Sequence, residues 1–393
     1  MTQNALSRFR ILDLTRARAG PTCVKQFADF GADVIRIESP PHLGEGMLMA
    51  GGRLGFDMQN LHRNTRSITL DLKTDAAKEI FYKLVETADV VVENFRPDVK
   101  ERLGIGYAKL SSINPKIILA SISGFGQTGP YSKRPLFDQT AQGLSGLMSV
   151  TGAPGGGPMR VGAAVTDLTA GFLSALGIMT ALLEREVSGR GQWVQGSLIQ
   201  AGISLMDFQA VKYLMTGNIP EQVGNDHPTS MPTSCYACED GYINVACSGE
   251  PMWLKFCEAI EKPEMKDDPL FILEKDRVAN RFALNEVLGS IFIKKSKEYW
   301  VNKLNEYGVP CGPIYNVKEV FDDPQVQDQK ISVTVDHPKL GTVTLLNQGV
   351  KLSRTPPSIT RVAPDLGEHT QEVLSSLGYS PIEINAFKDQ QVI

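Results

Sequence analysis

Residues 10–38 decide the fold. Arg10-Ile-Leu-Asp-Leu-Thr15 is a short apolar strand, Ala19-Gly20-Pro21 turns the chain, 22–30 carries helical periodicity, and Gly31-Ala32 leads into a second strand, Asp33-Val-Ile-Arg-Ile-Glu38. Strand, turn, helix and strand within about thirty residues is the size of a βαβ unit. Such a unit predicts a parallel sheet with a ligand crevice at the carboxyl ends of its strands. The G-x-G-x-x-G fingerprint is absent after the first strand, so a dehydrogenase loses its main support. Glu38 stands where a ribose-binding acid would, but one acid at a strand end is weak support.

The alternation continues outward from this unit. Strands are expected at 66–72, 88–93 and 116–123, with an amphipathic helix at 74–87 and a helix from Pro97 to Leu103. Four or more βα units in series predict a doubly wound α/β domain. A long helix over about 167–185, a strand at 192–198 and a helix to about 215 follow. The turn-rich stretch 220–232 reads as a linker, 233–325 as a smaller α+β lobe with a hairpin at Asp240-Gly241, and 326–393 as a return segment with strands at 331–335 and 341–346 and a last helix at 370–377. The large domain is accordingly placed at 1–219.

The chain has 393 residues, 42% apolar and 21% charged, with a net charge of −4. This is the composition of a soluble globular protein with a core that needs no staples. Lysine and arginine are dispersed, so no nucleic-acid partner is expected. No apolar h-region follows Met1, and the most apolar stretch, 161–183, is interrupted by Asp167; a cytoplasmic protein without a membrane span is expected. The five histidines lack metal-ligand spacing and no metal is expected. Cys235 and Cys238 form a C-x-x-C, but three residues apart on a strand they face opposite sides.

Polar groups at several strand ends converge on one rim of a parallel sheet: Thr15-Arg16-Ala17-Arg18, Asn94-Phe95-Arg96 and Ser123-Gly124-Phe125-Gly126. Arginines there suit phosphate or carboxylate. His227, in Gly224-Asn-Asp-His-Pro228 at the lobe junction, is either a turn residue or a ligand contact. In Pro135-Leu-Phe-Asp-Gln-Thr-Ala-Gln-Gly-Leu-Ser-Gly146, Asp138 has the setting of a helix N-cap, with small residues that allow close approach of a ligand.

Taken together, Ile11-Leu-Asp-Leu-Thr-Arg16, Gly31-Ala-Asp-Val-Ile-Arg-Ile-Glu38, Asn64-Thr-Arg-Ser-Ile-Thr-Leu-Asp-Leu-Lys73, Val92-Glu-Asn-Phe-Arg-Pro97, Gly124-Phe-Gly-Gln-Thr-Gly-Pro130, Ser188-Gly-Arg-Gly-Gln192, Gly308-Val-Pro-Cys-Gly-Pro313 and Leu366-Gly-Glu-His-Thr370 resemble, in order, the motifs of the class III CoA-transferases. The resemblance implies a Rossmann-like domain completed by the C-terminal segment, a small lobe on two linkers, and an interlocked homodimer. It implies that Asp138 is the nucleophile, forming mixed-anhydride and aspartyl-CoA intermediates between an acyl-CoA donor, such as succinyl-CoA or another dicarboxylyl-CoA, and a small carboxylic acid acceptor. Coenzyme A is then a substrate, and no prosthetic group is implied.

Carried over by motif, the CoA site comprises Arg18, Ala19, Leu70, Asp71, Leu72, Lys73, Asn94, Phe95, Arg96, Arg102, Ser123, Gly124, Phe125 and Gly126. Arg16, Arg18 and His227 are expected at the acyl site, with Arg18 facing the second carboxylate of a dicarboxylic acyl group. Ser39 and Ser123 replace basic residues of formyl-CoA transferase. The small lobe lacks that enzyme's run of four glycines, so closure is expected from 224–232. The sister branch contains α-methylacyl-CoA racemases, which pair a histidine with an aspartate. The histidine position is Phe137, which exchanges no proton; Asp167 matches the other base in place but more simply caps the long helix. A non-catalytic CoA-binding protein is the remaining alternative.

Overall fold

The structure is a computed structural model that describes residues 4–44 and 51–393. Its main sheet has six parallel strands: β1 (Arg10–Asp13), β2 (Asp33–Glu38), β3 (Thr65–Thr69), β4 (Val90–Glu93), β5 (Ile118–Ser123) and β6 (Trp193–Ser197). They lie in the order β3-β2-β1-β4-β5-β6, with Ile11 opposite both Val34 and Val90. The strand order reverses between β1 and β4, the switch point at which doubly wound sheets bind ligands.

Both faces of the sheet are covered, so the strands are apolar on both sides. Ile11, Val34, Val90 and Val92 enter one core with α1 (Ala19–Asp29). Leu12, Ile35 and Val91 enter the other, with α2 (Asp75–Thr87). Helix α2 starts where Thr74 accepts a hydrogen bond from the Ala77 N–H (3.3 Å), an N-cap. Truncating a core residue such as Ile11 or Leu12 to alanine would cost about 2–5 kcal/mol.

After β5 come α3 (Asp138–Leu144), α4 (Val165–Ser188) and α5 (Leu198–Thr216), the last kinked at Asp207. By length and composition α4 would pass for a membrane span. Its stripe of Ala170, Gly171, Ser174, Ala175, Ile178 and Leu182 is instead buried against the protein. A Cβ on Gly171 would lie 2.7 Å from the Ala19 carbonyl oxygen, so only glycine allows α1 and α4 to approach this closely.

The chain forms two compact units, one of Met1–Leu147, Arg160–Thr216 and Gln329–Ile393, the other of Met148–Met159 and Gly217–Asp328. The second contains the antiparallel strands β7 (Thr233–Cys238), β8 (Gly241–Ala246) and β9 (Cys311–Pro313). Helices around them share a core of Trp253, Phe256, Phe292 and Trp300. The sequence reading placed 148–159 in the large domain and made 220–232 a linker. In the structure these stretches hold each other: Gln222 Nε2 donates to the Gly157 carbonyl (2.7 Å), and the Gly224 N–H to that of Gly152 (3.0 Å).

The return segment forms a hairpin, β10 (Ser332–His337) and β11 (Gly341–Leu346), and then covers the edge strand β3. The His369 N–H donates to the Ser67 carbonyl (2.8 Å), and the Thr69 N–H to Thr370 Oγ1 (3.1 Å). Pairing an edge in this way removes a template for aggregation. Further on, the Val392 carbonyl accepts from the Asp71 N–H (2.8 Å). Buried Arg63 forms a two-pronged ion pair with buried Asp29 (2.9 and 2.7 Å) and donates to the Leu346 carbonyl, fastening β11 to the helix α1 that carries Asp29. The sequence reading ended its helices at 377; a further helix, Pro381–Asp389, carries a complete capping box between Ser380 and Glu383.

Candidate active site

Because β1 to β4 end on the same rim, the residues that follow them meet. Leu14 and Arg16 follow β1, Glu38 and Ser39 close β2, Leu70, Asp71, Leu72 and Lys73 follow β3, and Phe95 and Arg96 follow β4. With Lys78, Arg102 and a few apolar neighbours they line a cleft of about 740 Å³. Its five cations face two carboxylates. One of these, Glu38, is already engaged by Arg36 (3.2 Å), Arg53 (2.9 Å) and Ser67 (2.6 Å). Burial pushes the Glu38 carboxyl up, but Arg36, Arg53 and Ser67 outweigh it and hold it below the usual range. The cleft therefore presents excess positive charge, which attracts and orients phosphate groups.

Side chains beside the cleft fix the loops that line it. Asn94 clasps the turn after β1, accepting from the Arg16 N–H (2.9 Å) and donating to the Arg16 carbonyl (2.7 Å). Arg16 reaches Ser39 Oγ (3.3 Å) and lies over the Phe95 ring. Buried Glu93 accepts from the Phe95 N–H (2.8 Å), fixing the loop that carries Arg96. Burial raises the Glu93 carboxyl above its usual range.

Asp138 lies in a second, drier setting, 9% exposed. It is not the cap of its own helix: Phe137 holds the N-cap position, and no side chain caps there. Its carboxylate instead caps α4. Oδ1 accepts from the Thr166 N–H (2.9 Å), the Thr166 hydroxyl (2.7 Å) and, at longer range, the Asp167 N–H (3.4 Å). Oδ2 accepts from Gln142 Nε2 (2.7 Å). Gln142 is fixed in turn, accepting from the Val161 N–H (2.9 Å) and donating to the Ala163 carbonyl (3.2 Å). An anion at a helix N-terminus is stabilised by the helix dipole and by donors that have no partner within the helix.

Asp167 does not cap α4 as its sequence setting suggested. The N-cap is Ala164, without a side-chain bond, and Asp167 sits within the first turn. Its carboxyl is pushed up to about 6 by burial and by the like charge of Asp138, with Arg18 opposing. Arg18 is half-buried and bound through Nη2 to both oxygens of Asp57, each at 2.9 Å.

Of the residues carried over by motif, Leu70, Asp71, Leu72, Lys73, Phe95, Arg96 and Arg102 line the cleft together with Arg16. The others are not among its lining residues. Ala19 is buried in the contact of α1 with α4. Ser123 is buried and accepts from Gln127 Nε2 (3.1 Å). Gly124 gives room to the Leu136 side chain, to which a Cβ would come within 2.4 Å. Phe125 packs edge-on against Tyr131, and Gly126 takes a left-handed φ of +93°. His227 belongs to the second unit, where its Nδ1 accepts from the Thr229 N–H (3.3 Å). Among the described residues no group of three His, Cys, Asp or Glu side chains is placed to hold a metal ion. Sequence reasoning missed Gln142, Thr166 and Asp57. Only Gln142 carried a local signal, four residues after Asp138 on one helix face.

A parallel sheet with a cationic rim suits a phosphate-bearing ligand, and a buried carboxylate held at a helix start suits an enzyme. Residues 6–370 match the profile of CoA-transferase family III, and the chain belongs to that family. It is 37% identical to a succinyl-CoA:mesaconate CoA-transferase of Haloarcula hispanica over 95% of this chain and 96% of that protein. It is 36% identical to a formyl-CoA:oxalate CoA-transferase of a Bradyrhizobium species, over 98% and 96%. The crystal structure of a CaiB/BaiF family protein from Brucella suis superposes with a TM-score of 0.83 at 33% identity, over 95% of this chain and all of that one.

Proposed function

We propose that this family III CoA-transferase moves CoA from a dicarboxylyl-CoA donor to a small carboxylic acid through covalent intermediates on Asp138. The observation that carries this reading is the carboxylate itself, buried, held by four donors and placed beside Phe137, not beside a histidine. A single fixed carboxylate suits nucleophilic catalysis, whereas racemisation requires two proton-exchanging groups. Asp138 attacks the donor thioester carbonyl and expels CoA thiolate, forming a mixed anhydride. The thiolate attacks the aspartyl carbonyl and releases the donor acid, leaving an aspartyl-CoA thioester. The acceptor carboxylate displaces the thiolate, and the thiolate then takes the new acyl group, restoring Asp138. Burial favours the sequence because water would hydrolyse the anhydride.

The cationic cleft takes the phosphates of CoA. Succinyl-CoA, in the name of the Haloarcula relative, is the donor class we assign, with Arg18 recognising the distal carboxylate. Asp57 occupies that guanidinium from one side through Nη2. The outer faces of α4 and α5 expose Leu176, Leu183, Leu214 and Met215, an apolar area that fits a homodimer. The mechanism is tested by incubating the enzyme with acyl-CoA and mapping the peptide that contains Asp138 by mass spectrometry. A CoA adduct, converted to a hydroxamate by hydroxylamine, is expected there; an adduct on another residue, or none at any donor concentration, would overturn it.

A further inference from the structure

The two oxygens of Asp138 have unequal environments. Oδ1 receives the Thr166 hydroxyl, the Thr166 N–H and, more distantly, the Asp167 N–H, all from the first turn of α4. Oδ2 receives one amide hydrogen from Gln142. Thr166 is fully buried, so its hydroxyl has no competing water. We infer that Thr166 is a catalytic residue and that Asp138 works as an asymmetric carboxylate, with Oδ2 the oxygen that makes and breaks bonds and Oδ1 the one that remains on the enzyme. The inference rests on the covalent role of Asp138 proposed above.

Each step follows from that assignment. An Oδ2 lone pair bonds to the donor acyl carbon, the C–S bond breaks and CoA leaves as thiolate. When the thiolate adds to the aspartyl carbon, the negative charge develops on Oδ1, against the Thr166 hydroxyl and the amides. These donors are placed before the charge appears, which is how an oxyanion hole lowers a barrier. As the tetrahedral species collapses, the bond from the aspartyl carbon to Oδ2 breaks, and the donor acid departs carrying that oxygen. The acceptor carboxylate then adds to the same carbon. Charge passes again to Oδ1, thiolate leaves, and an acceptor oxygen becomes the new Oδ2. Finally the thiolate takes the acyl group and leaves this oxygen on Asp138. One oxygen atom is thus exchanged per turnover, always at Oδ2, and no proton, oxidant or water is consumed.

The test uses the full-length enzyme, an acyl-CoA donor and an acceptor acid with both carboxylate oxygens replaced by oxygen-18. After several turnovers the Asp138 peptide is weighed. One heavy oxygen on Asp138 is the expected result, because Oδ1 stays in its donor set between turnovers. Two heavy oxygens would overturn the asymmetry while leaving covalent catalysis intact. No heavy oxygen on Asp138 despite product formation would overturn covalent catalysis itself. Thr166→Val should lower kcat by about 100-fold, the cost of one oxyanion-hole donor. It should also admit a second heavy oxygen at equal turnover number, and Thr166→Ser should restore both. A Thr166→Val enzyme with normal kcat, or one rescued by no hydroxyl, would show that the residue only packs.

Discussion

The cleft and the Asp138 site solve different problems with different materials. The cleft is open, and Lys73, Arg96 and Arg102 are exposed at its edge. Its cations act at a distance and tolerate a flexible, hydrated ligand. The Asp138 carboxylate is buried, and its partner Gln142 is itself held by Val161 and Ala163. On the function proposed above, a cation in the cleft contributes affinity and a donor at Asp138 contributes rate.

Asp138→Ala gives the largest separation of the two. Transfer should fall by four or more orders of magnitude, about the cost of deleting a catalytic nucleophile, while CoA binding, read by calorimetry, stays within a few-fold of wild type. Loss of both together would mean that the two sites do not act independently. Arg18→Glu should come next: KM for a dicarboxylyl donor should rise by about 100-fold, roughly the worth of a buried charge pair, with little change for a monocarboxylyl donor. Equal effects on both would assign Arg18 to CoA or to Asp57 alone. Arg96→Ala in the cleft should weaken CoA binding by about tenfold, or about 1.4 kcal/mol, with kcat unchanged. The difference from wild type should shrink as salt is raised; a defect that salt does not alter would speak against a phosphate contact.

Asp167→Asn is the smallest expected effect, and it varies with pH. The folded-state carboxyl of Asp167 lies near 6, above the ordinary 3.8. The folded protein thus holds this proton more tightly than the unfolded chain. Stability from this group is complete below pH 3.8 and is lost as pH rises through 6. The asparagine variant should be more stable than wild type by about 1 kcal/mol at pH 8, with the gain fading towards pH 4. Thermal unfolding across that range checks it; a constant difference would exclude titration of Asp167.

Much of this architecture was legible in the sequence because it is written in local periodicity. Asp33–Glu38 was read with its observed bounds, and the cleft residues follow because parallel strands end on one rim. What escaped is non-local. Nothing near Thr166 reveals that its hydroxyl meets a carboxylate 28 residues earlier, and Arg18 finds Asp57 39 residues away. Asp138 shows how a correct local preference can name the wrong partner. An aspartate after Pro135 does cap a helix, but the helix is α4, on the far side of a glycine-rich loop.

The hydrogen bond between Asp71 and Val392 has a consequence for how the protein is made. The loop that supplies Leu70 to Lys73 to the cleft leaves the ribosome early, yet its backbone partner emerges more than 300 residues later. The same delay applies to the Ser67 and Thr69 contacts with His369 and Thr370. Until then the edge of β3 is bare, and the rim of the cleft in the nascent chain is incomplete. The edge of β3 is thus covered only after about 300 further residues have been made, and the growing chain has an interval in which a chaperone, or a neighbouring nascent chain, can occupy that edge.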